Sequence, residues 1–351
     1  MDHGERGVTR TATLAVSEVS RRSVLAGPAV AAVTLLAALL ATNEAGVALR
    51  DPDNVGARRL VMVAALVAVL VLLDIVLRAA RGSGRKVPSM SDIRRVRRAR
   101  WTGDRLVASV SALVSFYVTY VAYRNLKSVV PLVRPGELFD RQLADFERGV
   151  LGGHDPAELL HTVLGTGLST HILSTVYVIF VFFLPLSLAV ALVFSPDLQG
   201  GIYYATALSI NWLIGAASYF LIPAMGPIYY APALFADLPD TQASHLQGLL
   251  LEQRREFLAD PSAPGVAQNI AAFASLHCSL LFTAALAAHL IGVGRRARIA
   301  LWALFGVSTV ATVHLGWHYV VDDVAGVLIA VAALALARVL TGFEPRTPRR
   351  R

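Results

Sequence analysis

Residues 170–195 read THILSTVYVIFVFFLPLSLAVALVFS, a run that contains no Asp, Glu, Lys or Arg. A bilayer core about 30 Å thick is crossed by about 20 apolar residues at about 1.5 Å of helical rise each, so this run is long enough to span it. Because lipid offers the backbone no hydrogen-bond partners, we expect the run to be helical. This segment therefore predicts a helix embedded in a membrane.

Seven further apolar segments repeat this pattern along the chain. They occupy about residues 24–42, 60–79, 106–123, 201–222, 272–292, 299–315 and 320–341. None alternates apolar and polar residues as a strand of a membrane β-barrel would. The sequence therefore predicts an all-α fold, a polytopic membrane bundle of about eight transmembrane helices.

The composition agrees with a membrane protein and excludes several other classes. Of the 351 residues, 55% are hydrophobic and 16% are charged, whereas soluble domains average about 45–50% and about 25%. A soluble enzyme, a disordered chain and a fibrous repeat are therefore excluded. The single cysteine, Cys278, excludes an internal disulfide and a zinc site built on cysteines.

The charges predict an orientation and a partner. Most of the 32 Lys and Arg residues, including Arg6, Arg10, the dense run at 78–105 and the end of the chain, lie in segments that face one side if the N-terminus is inside. By the positive-inside rule, both termini are cytoplasmic, in a multi-pass protein of the plasma membrane. The basic residues that give the net charge of +8 thus lie beside the spans. We therefore expect the lipid bilayer as a partner and no nucleic acid.

A histidine and a carboxylate lie at the outer end of the last predicted span. His318 is followed one helical turn later by Asp322. Positions i and i+4 share a helix face, so Asp322 can hold one imidazole nitrogen and leave the other free as a nucleophile. The same spacing also occurs in simple helix-surface pairs, which leaves a purely structural interpretation open.

A second histidine, His277, lies where the sixth span begins on the same outer side. Free backbone N–H groups and the helix dipole make such a position a natural anion site. Ser275 either caps this helix or donates to a phosphate oxygen. Two histidines and a carboxylate suit phosphoester transfer, with one group attacking, one protonating the leaving oxygen and one orienting the nucleophile. A zinc site on the same three residues is the less favoured alternative.

These segments resemble a known family. Ser275-Leu276-His277 and His318-x-x-x-Asp322 are similar to the second and third signature motifs of the type 2 phosphatidic acid phosphatase (PAP2) superfamily, and residues 219–227 (YFLIPAMGP) resemble its inositolphosphotransferase branch, which includes inositol phosphorylceramide synthase. The resemblance covers about residues 106–340. It implies that His318 becomes a phosphohistidine, that Asp322 orients it and that His277 is the acid–base partner. It also implies a reaction without metal or other cofactor, at the extracytoplasmic face, on a lipid-linked phosphate.

The resemblance has departures and an ambiguous first motif. Thr312 stands where the phosphatases carry an Arg of the third motif. Lys127 and Arg134 fit the Lys-x6-Arg-Pro spacing of the first motif, but they end the third span rather than the fifth. We predict that both bind phosphate through charge-assisted bonds, with Arg254 and Arg255 as secondary candidates. The expected substrate-binding residues are Ser275, Lys127, Arg134, Gly226 and Tyr230, although Tyr230 is also typical of an interfacial anchor.

The resemblance divides the chain into three parts. Residues 1–105 are expected to form a cytoplasmic N-terminus, two accessory transmembrane helices and a basic loop. Residues 106–341 form the six-helix catalytic core, and 342–351 a basic cytoplasmic tail. A phospholipid or a polyprenyl phosphate is the expected substrate; inositol phospholipid, phosphatidic acid, hydrolysis and transfer all remain open.

A transporter or flippase for a lipid or an anionic solute is the alternative function. Transporters place polar sites near the midplane of the bilayer, on broken helices and within inverted repeats. Here the polar cluster lies at one face and no repeat is visible. We therefore favour the enzyme.

Overall fold

The computed structural model describes residues 20–51, 55–84, 86–195, 197–263 and 265–345. Within these ranges there is no strand, so the predicted all-α fold is confirmed. The helices are α1 (Arg21–Glu44), α2 (Val55–Ser83), α3 (Met90–Arg100), α4 (Gly103–Val133), α5 (Asp140–Val150), α6 (Pro156–Leu164), α7 (Leu168–Phe194), α8 (Leu198–Leu221), α9 (Pro227–Tyr230), α10 (Gln242–Ala259), α11 (Leu276–Ile291), α12 (Arg295–His314) and α13 (Val320–Thr341). A 3-10 helix follows α9 at Pro232–Phe235.

Each of the eight predicted spans corresponds to one long helix. Among the described residues, six of these are long and apolar enough to cross a membrane: α1, α2, α4, α7, α12 and α13. Helix α11 has 16 residues, or about 24 Å at about 1.5 Å per residue. Helix α8 is surrounded by α1, α4, α7, α11 and α13, and a helix that contacts protein on all sides needs no lipid-compatible surface. The protein is therefore a polytopic membrane helical bundle.

The expected division of the chain and its orientation remain predictions. Helix α1 packs against α4, α8 and α13, and α2 packs against α3, α4 and α7. Both helices thus contact the part that was expected to form the core. The orientation relied partly on Arg6, Arg10 and Arg346, which lie outside the described residues.

Local capping explains where several spans begin and end. The Thr102 hydroxyl accepts the N–H of Arg105 at the start of α4, and the Asp197 carboxylate accepts the N–H of Gly200 at the start of α8. Such bonds satisfy backbone donors that have no partner within the helix. Helix α11 ends at Gly292, whose φ of 80° is the left-handed conformation that glycine adopts freely.

Polar contacts join the central helix α8 to α11. The Asn211 side chain is fully buried and donates to the Thr283 hydroxyl (3.1 Å), while its carbonyl oxygen accepts the Ser279 hydroxyl. The Ser218 hydroxyl accepts the N–H of Ala274 just before α11 (3.0 Å). Interhelical bonds of this kind are expected for polar residues inside a membrane bundle, and they fix α11 beside α8.

Helices α11 and α13 make a close backbone contact where both begin. The N–H of Ser275 donates to the carbonyl oxygen of Asp322 (3.0 Å). One turn further into α13, a Cβ on Gly326 would overlap the Ser275 carbonyl oxygen. Small residues permit such approaches between membrane helices. Gly326 therefore allows the first turns of the two helices to lie side by side.

We expect Gly326→Ala to lower the stability of the bundle, because the added methyl group has no space between α13 and Ser275. Overpacking of this type costs about 1–3 kcal/mol. The measurement is the thermal unfolding midpoint of the purified protein in detergent. Gly306→Ala is the matched control, since nothing lies within 4 Å of a Cβ there and alanine favours a helix by up to about 1 kcal/mol. Equal midpoints for the two variants would contradict the close contact.

Candidate active site

A cavity of about 460 Å³ lies at the end of the bundle where α11 and α13 begin. Its walls come from α2, α4, α7, α8, α9, α10 and α11 and from the loops before α9, α11 and α13. Three of the residues singled out in the sequence line it together: Lys127, His277 and His318. The structure thus brings the two histidines to one space, although His277 lies in the first turn of α11 and His318 in the loop before α13.

His318 and Asp322 are in contact. The spacing predicts a shared helix face, whereas His318 lies in the loop before α13 and not on a helix face with Asp322. His318 Nδ1 lies 3.4 Å from Asp322 Oδ2, a long distance for a hydrogen bond. The same carboxylate oxygen accepts the N–H of Tyr319 (2.9 Å) and so also caps α13. The second oxygen, Oδ1, is buried without a hydrogen-bond partner in the described part of the chain. Asp322 therefore caps α13 and lies beside His318 Nδ1 at the same time.

The surroundings of His318 favour a neutral imidazole. Burial lowers its pKa to about 4, because the charged ring would lose its hydration. The Asp323 carboxylate opposes this shift, and the Lys127 ammonium adds to it. At neutral pH the ring therefore keeps the nitrogen lone pair that a nucleophile needs.

His277 lies in a stack of aromatic rings. The Tyr177 ring is parallel to it, with centroids 4.3 Å apart and planes at 11°, and Phe180 lies 3.9 Å away. Trp317 stacks on Tyr177 at 4.9 Å. The Nε2 atom of His277 is buried and has no partner among the described residues. Since nearly all buried polar atoms are hydrogen-bonded in native proteins, this nitrogen is a position where a ligand can supply the partner.

These aromatic residues were missed by the sequence reasoning. Tyr177 lies within the apolar run 170–195, which indicated only a membrane helix. Trp317 directly precedes His318, and this adjacency was the one available signal for an aromatic wall. Their role in the cavity follows from the packing of α7 against α11 and α12.

Lys127 supplies a positive charge to the same cavity. Its Nζ lies 5.9 Å from the ring centroid of Tyr123 and 5.6 Å from that of Tyr219, within the range of cation–π contacts. It makes no ion pair with any residue that the structure describes. Its charge is therefore available to an anionic group in the cavity.

Three other expected substrate-binding residues do not line this cavity. Ser275 is fully buried, and its hydroxyl accepts the N–H of Cys278 as a helix cap. Gly226 has a φ of 107°, and a Cβ there would overlap the carbonyl oxygen of Trp317, so it serves the turn before α9. Tyr230 is 43% exposed, whereas its neighbour Tyr229 lines the cavity.

Arg134 is separated from Lys127 despite the spacing that suggested a shared motif. Its guanidinium donates to the carbonyl oxygen of Phe220 and pairs with Glu137. It lines a neighbouring cavity of about 390 Å³ that does not include either histidine. The two predicted phosphate-binding cations therefore face two different spaces.

Asp140, at the start of α5, organises the loops around the site and was also missed. Its buried carboxylate accepts the N–H groups of Met225 (2.9 Å) and Gly226 (2.8 Å) and the hydroxyl of Tyr319 (3.2 Å). It thereby ties the segment before α9 to the residue that follows His318. No local pattern marks it, because its partners are more than 80 residues away.

Thr312, which departs from the family pattern, and the nearby His314 both have structural partners. The Thr312 hydroxyl donates to Asp323 Oδ2 (2.8 Å). His314 bonds through Nε2 to the Thr170 hydroxyl (2.9 Å) and does not line the histidine cavity. Within the described residues, no group of three or more His, Cys, Asp or Glu side chains is placed to hold a metal ion.

We expect the His318 imidazole to gain a proton only as the pH falls through about 4, instead of near the usual value of about 6.5. Histidine ¹⁵N NMR of the protein in detergent, with His318→Gln to assign the signal, measures this titration. Lys127→Met raises the pKa, because it removes a nearby positive charge. A titration of His318 near pH 6.5 in the unsubstituted protein would contradict the buried environment.

One of three comparisons with known proteins found a match. A family model described as the PAP2 superfamily matches residues 141–336, more than half of the chain. The match contains His277, His318 and Asp322, while Lys127 and Arg134 precede it. Neither the curated proteins nor the solved structures yielded a match. Members of the superfamily are phosphatases and phosphotransferases, which supports an enzyme with phosphoesterase activity. The chain therefore belongs to the PAP2 superfamily.

Proposed function

We propose that the protein is a membrane-embedded phosphoesterase or phosphotransferase that acts on a lipid-linked phosphate through a phosphohistidine at His318. The supporting observation is that Lys127, His277 and His318 line one cavity. Asp322 Oδ2 lies 3.4 Å from His318 Nδ1. The finer assignment is to an inositolphosphotransferase-like enzyme, with the cavity facing the extracytoplasmic side of the plasma membrane.

The first half of the reaction uses His318 as the nucleophile. Its Nε2 lone pair attacks phosphorus, a P–N bond forms, and the bond from phosphorus to the leaving oxygen breaks. The leaving oxygen takes a proton from His277. Asp322 lies on the Nδ1 side and stabilises the positive charge that develops on the attacking ring. The Lys127 ammonium stabilises the negative charge on the phosphoryl oxygens.

The second half resolves the phosphohistidine. An acceptor hydroxyl attacks phosphorus, His277 takes the proton of that hydroxyl, and the P–N bond breaks to return neutral His318. Water as acceptor gives hydrolysis, and an alcohol gives transfer. The chain supplies the same groups in both cases, so the outcome depends on which acceptor reaches the phosphorus.

The walls of the cavity support a lipid as the substrate. Beyond the histidines the lining is largely aromatic and aliphatic, with Phe116, Tyr120, Leu184 and Trp212 among its residues. Ligand sites of this type are mostly apolar with a few placed polar groups. A lipid phosphate fits such a space, with its charge at Lys127 and its chains along the apolar wall.

A trapping experiment tests the phosphohistidine. We expect ³²P from labelled phospholipid to attach to the protein through an acid-labile bond, and His318→Ala to lose both label and turnover. His277→Ala should reduce turnover by about 10²–10⁴-fold, the usual contribution of general acid–base catalysis. His154→Ala is the control, because this exposed histidine does not line the cavity.

Two outcomes would refute the mechanism. Label retained on His318→Ala would remove His318 as the attacking group. Near-normal turnover in His277→Ala would remove the acid–base role. Insertion of every variant into the membrane is verified first, so that lost activity is not attributed to lost protein.

The inositolphosphotransferase assignment has a separate test. In proteoliposomes that contain phosphatidylinositol labelled in its inositol ring, together with diverse lipid alcohols, we expect the label to move to a new lipid. Release of the label only as a water-soluble inositol phosphate would instead identify a hydrolase. His318→Ala proteoliposomes give the background for both products.

A further inference from the structure

A second cavity of about 390 Å³ adjoins the histidine cavity. The two spaces share four lining residues, which form the partition between them: Tyr219, Met225, Ile270 and Ala271. Two arginines, Arg134 and Arg254, and one acidic residue, Glu137, line the second cavity, and neither histidine does. It is therefore a mostly apolar space with three charged residues beside the proposed reaction site.

One face of α10 lines both cavities. Leu246, Leu250, Arg254 and Leu258 recur at intervals of four residues, a spacing that places them along one side of a helix. Leu246 and Leu250 line the histidine cavity, and Arg254 and Leu258 line the second one. A guanidinium within a row of leucines is costly to desolvate unless it has a partner.

The Arg254 guanidinium has no partner in the part of the chain that the structure describes. It makes no hydrogen bond and no ion pair there. The side chain is half-buried, and burial lowers its pKa, with Asp140 opposing the shift. A guanidinium carries five N–H donors. The adjacent Arg255 differs, because it is exposed and pairs with Glu252 at 3.3 Å.

Arg134 lines the same cavity, but unlike Arg254 its guanidinium has partners within the protein. Its guanidinium is held by the Phe220 carbonyl oxygen and by Glu137. It is thus fixed in position, while the donors of Arg254 remain unused. A fixed and an unpaired guanidinium that line one cavity suit an anion with several oxygens, because each can present two parallel N–H donors to it.

We propose that this second cavity binds a phosphate group, with Arg254 as the principal donor and Arg134 as a fixed second cation. The phosphate is that of a lipid headgroup or of a soluble phosphate, since both present the same oxygens. This phosphate site does not depend on the proposed reaction at His318, because the second cavity is proposed only to bind the phosphate and not to react with it. Its position across the partition from the histidine cavity places the bound anion beside the reacting lipid.

Phosphate binding to the full chain in nanodiscs tests the site. Lys127→Met serves as the background, because it weakens phosphate binding in the histidine cavity. In this background we expect Arg254→Gln to weaken binding of inorganic phosphate, followed by ³¹P NMR, about tenfold or more, the loss expected for a charge-assisted bond. Arg255→Gln removes the same charge from the next residue and should leave the affinity unchanged. Arg254→Lys retains the charge and should retain part of the binding.

A second arm identifies the source of the phosphate. Nanodiscs that contain phosphatidic acid displace inorganic phosphate if the ligand is a lipid headgroup, and leave it bound if the ligand is soluble. An affinity that depends on Arg254 in either arm supports the site. Equal affinities for the Arg254→Gln and Arg255→Gln proteins in both arms would overturn it, whether or not the protein turns over lipid.

Discussion

The arrangement of the site depends on the close approach of α11 and α13. The Ser275 N–H bonds to the carbonyl oxygen of Asp322, and Gly326 leaves room for the Ser275 backbone beside it. This contact fixes the first turns of two helices that run in the same direction and are joined through α12. Because His277 lies in one first turn and His318 just before the other, the contact brings both histidines to one cavity. A larger residue at position 326 would separate them.

The candidate site concentrates polar atoms that the protein itself leaves unpaired. His277 Nε2, His318 Nδ1 and Asp322 Oδ1 are buried without hydrogen-bond partners among the described residues. Each such atom costs about 1–3 kcal/mol, so a cluster of three is a substantial destabilisation at one place. Proteins tolerate this mainly at functional sites. Of the three, His277 lines the cavity, where a phosphate oxygen would offer its Nε2 the partner that the described residues do not supply.

Elements outside the matched family region complete the cavity. Arg59 and Met62 on α2, and Lys127 on α4, line it with the histidines, although the family match begins at residue 141. Helix α10 covers this cavity and its neighbour with one face. His277, His318 and Asp322 thus lie within the region matched to the superfamily, whereas part of the cavity wall is formed by residues outside that region.

The sequence by itself determined the eight helices of the predicted spans, because long apolar runs must be helical in lipid. It indicated that His318 and Asp322 lie close together, because only three residues separate them in the chain. It also identified His277 and Lys127 as candidates. Tertiary structure decided the rest: Arg134 faces a second cavity, Tyr177 stacks on His277, and Asp140 ties together distant loops. Hydropathy and helical periodicity are local properties of the chain, whereas these contacts depend on how separate helices pack. In a membrane, small residues and buried polar bonds fix that packing, and no local pattern in the sequence reveals them.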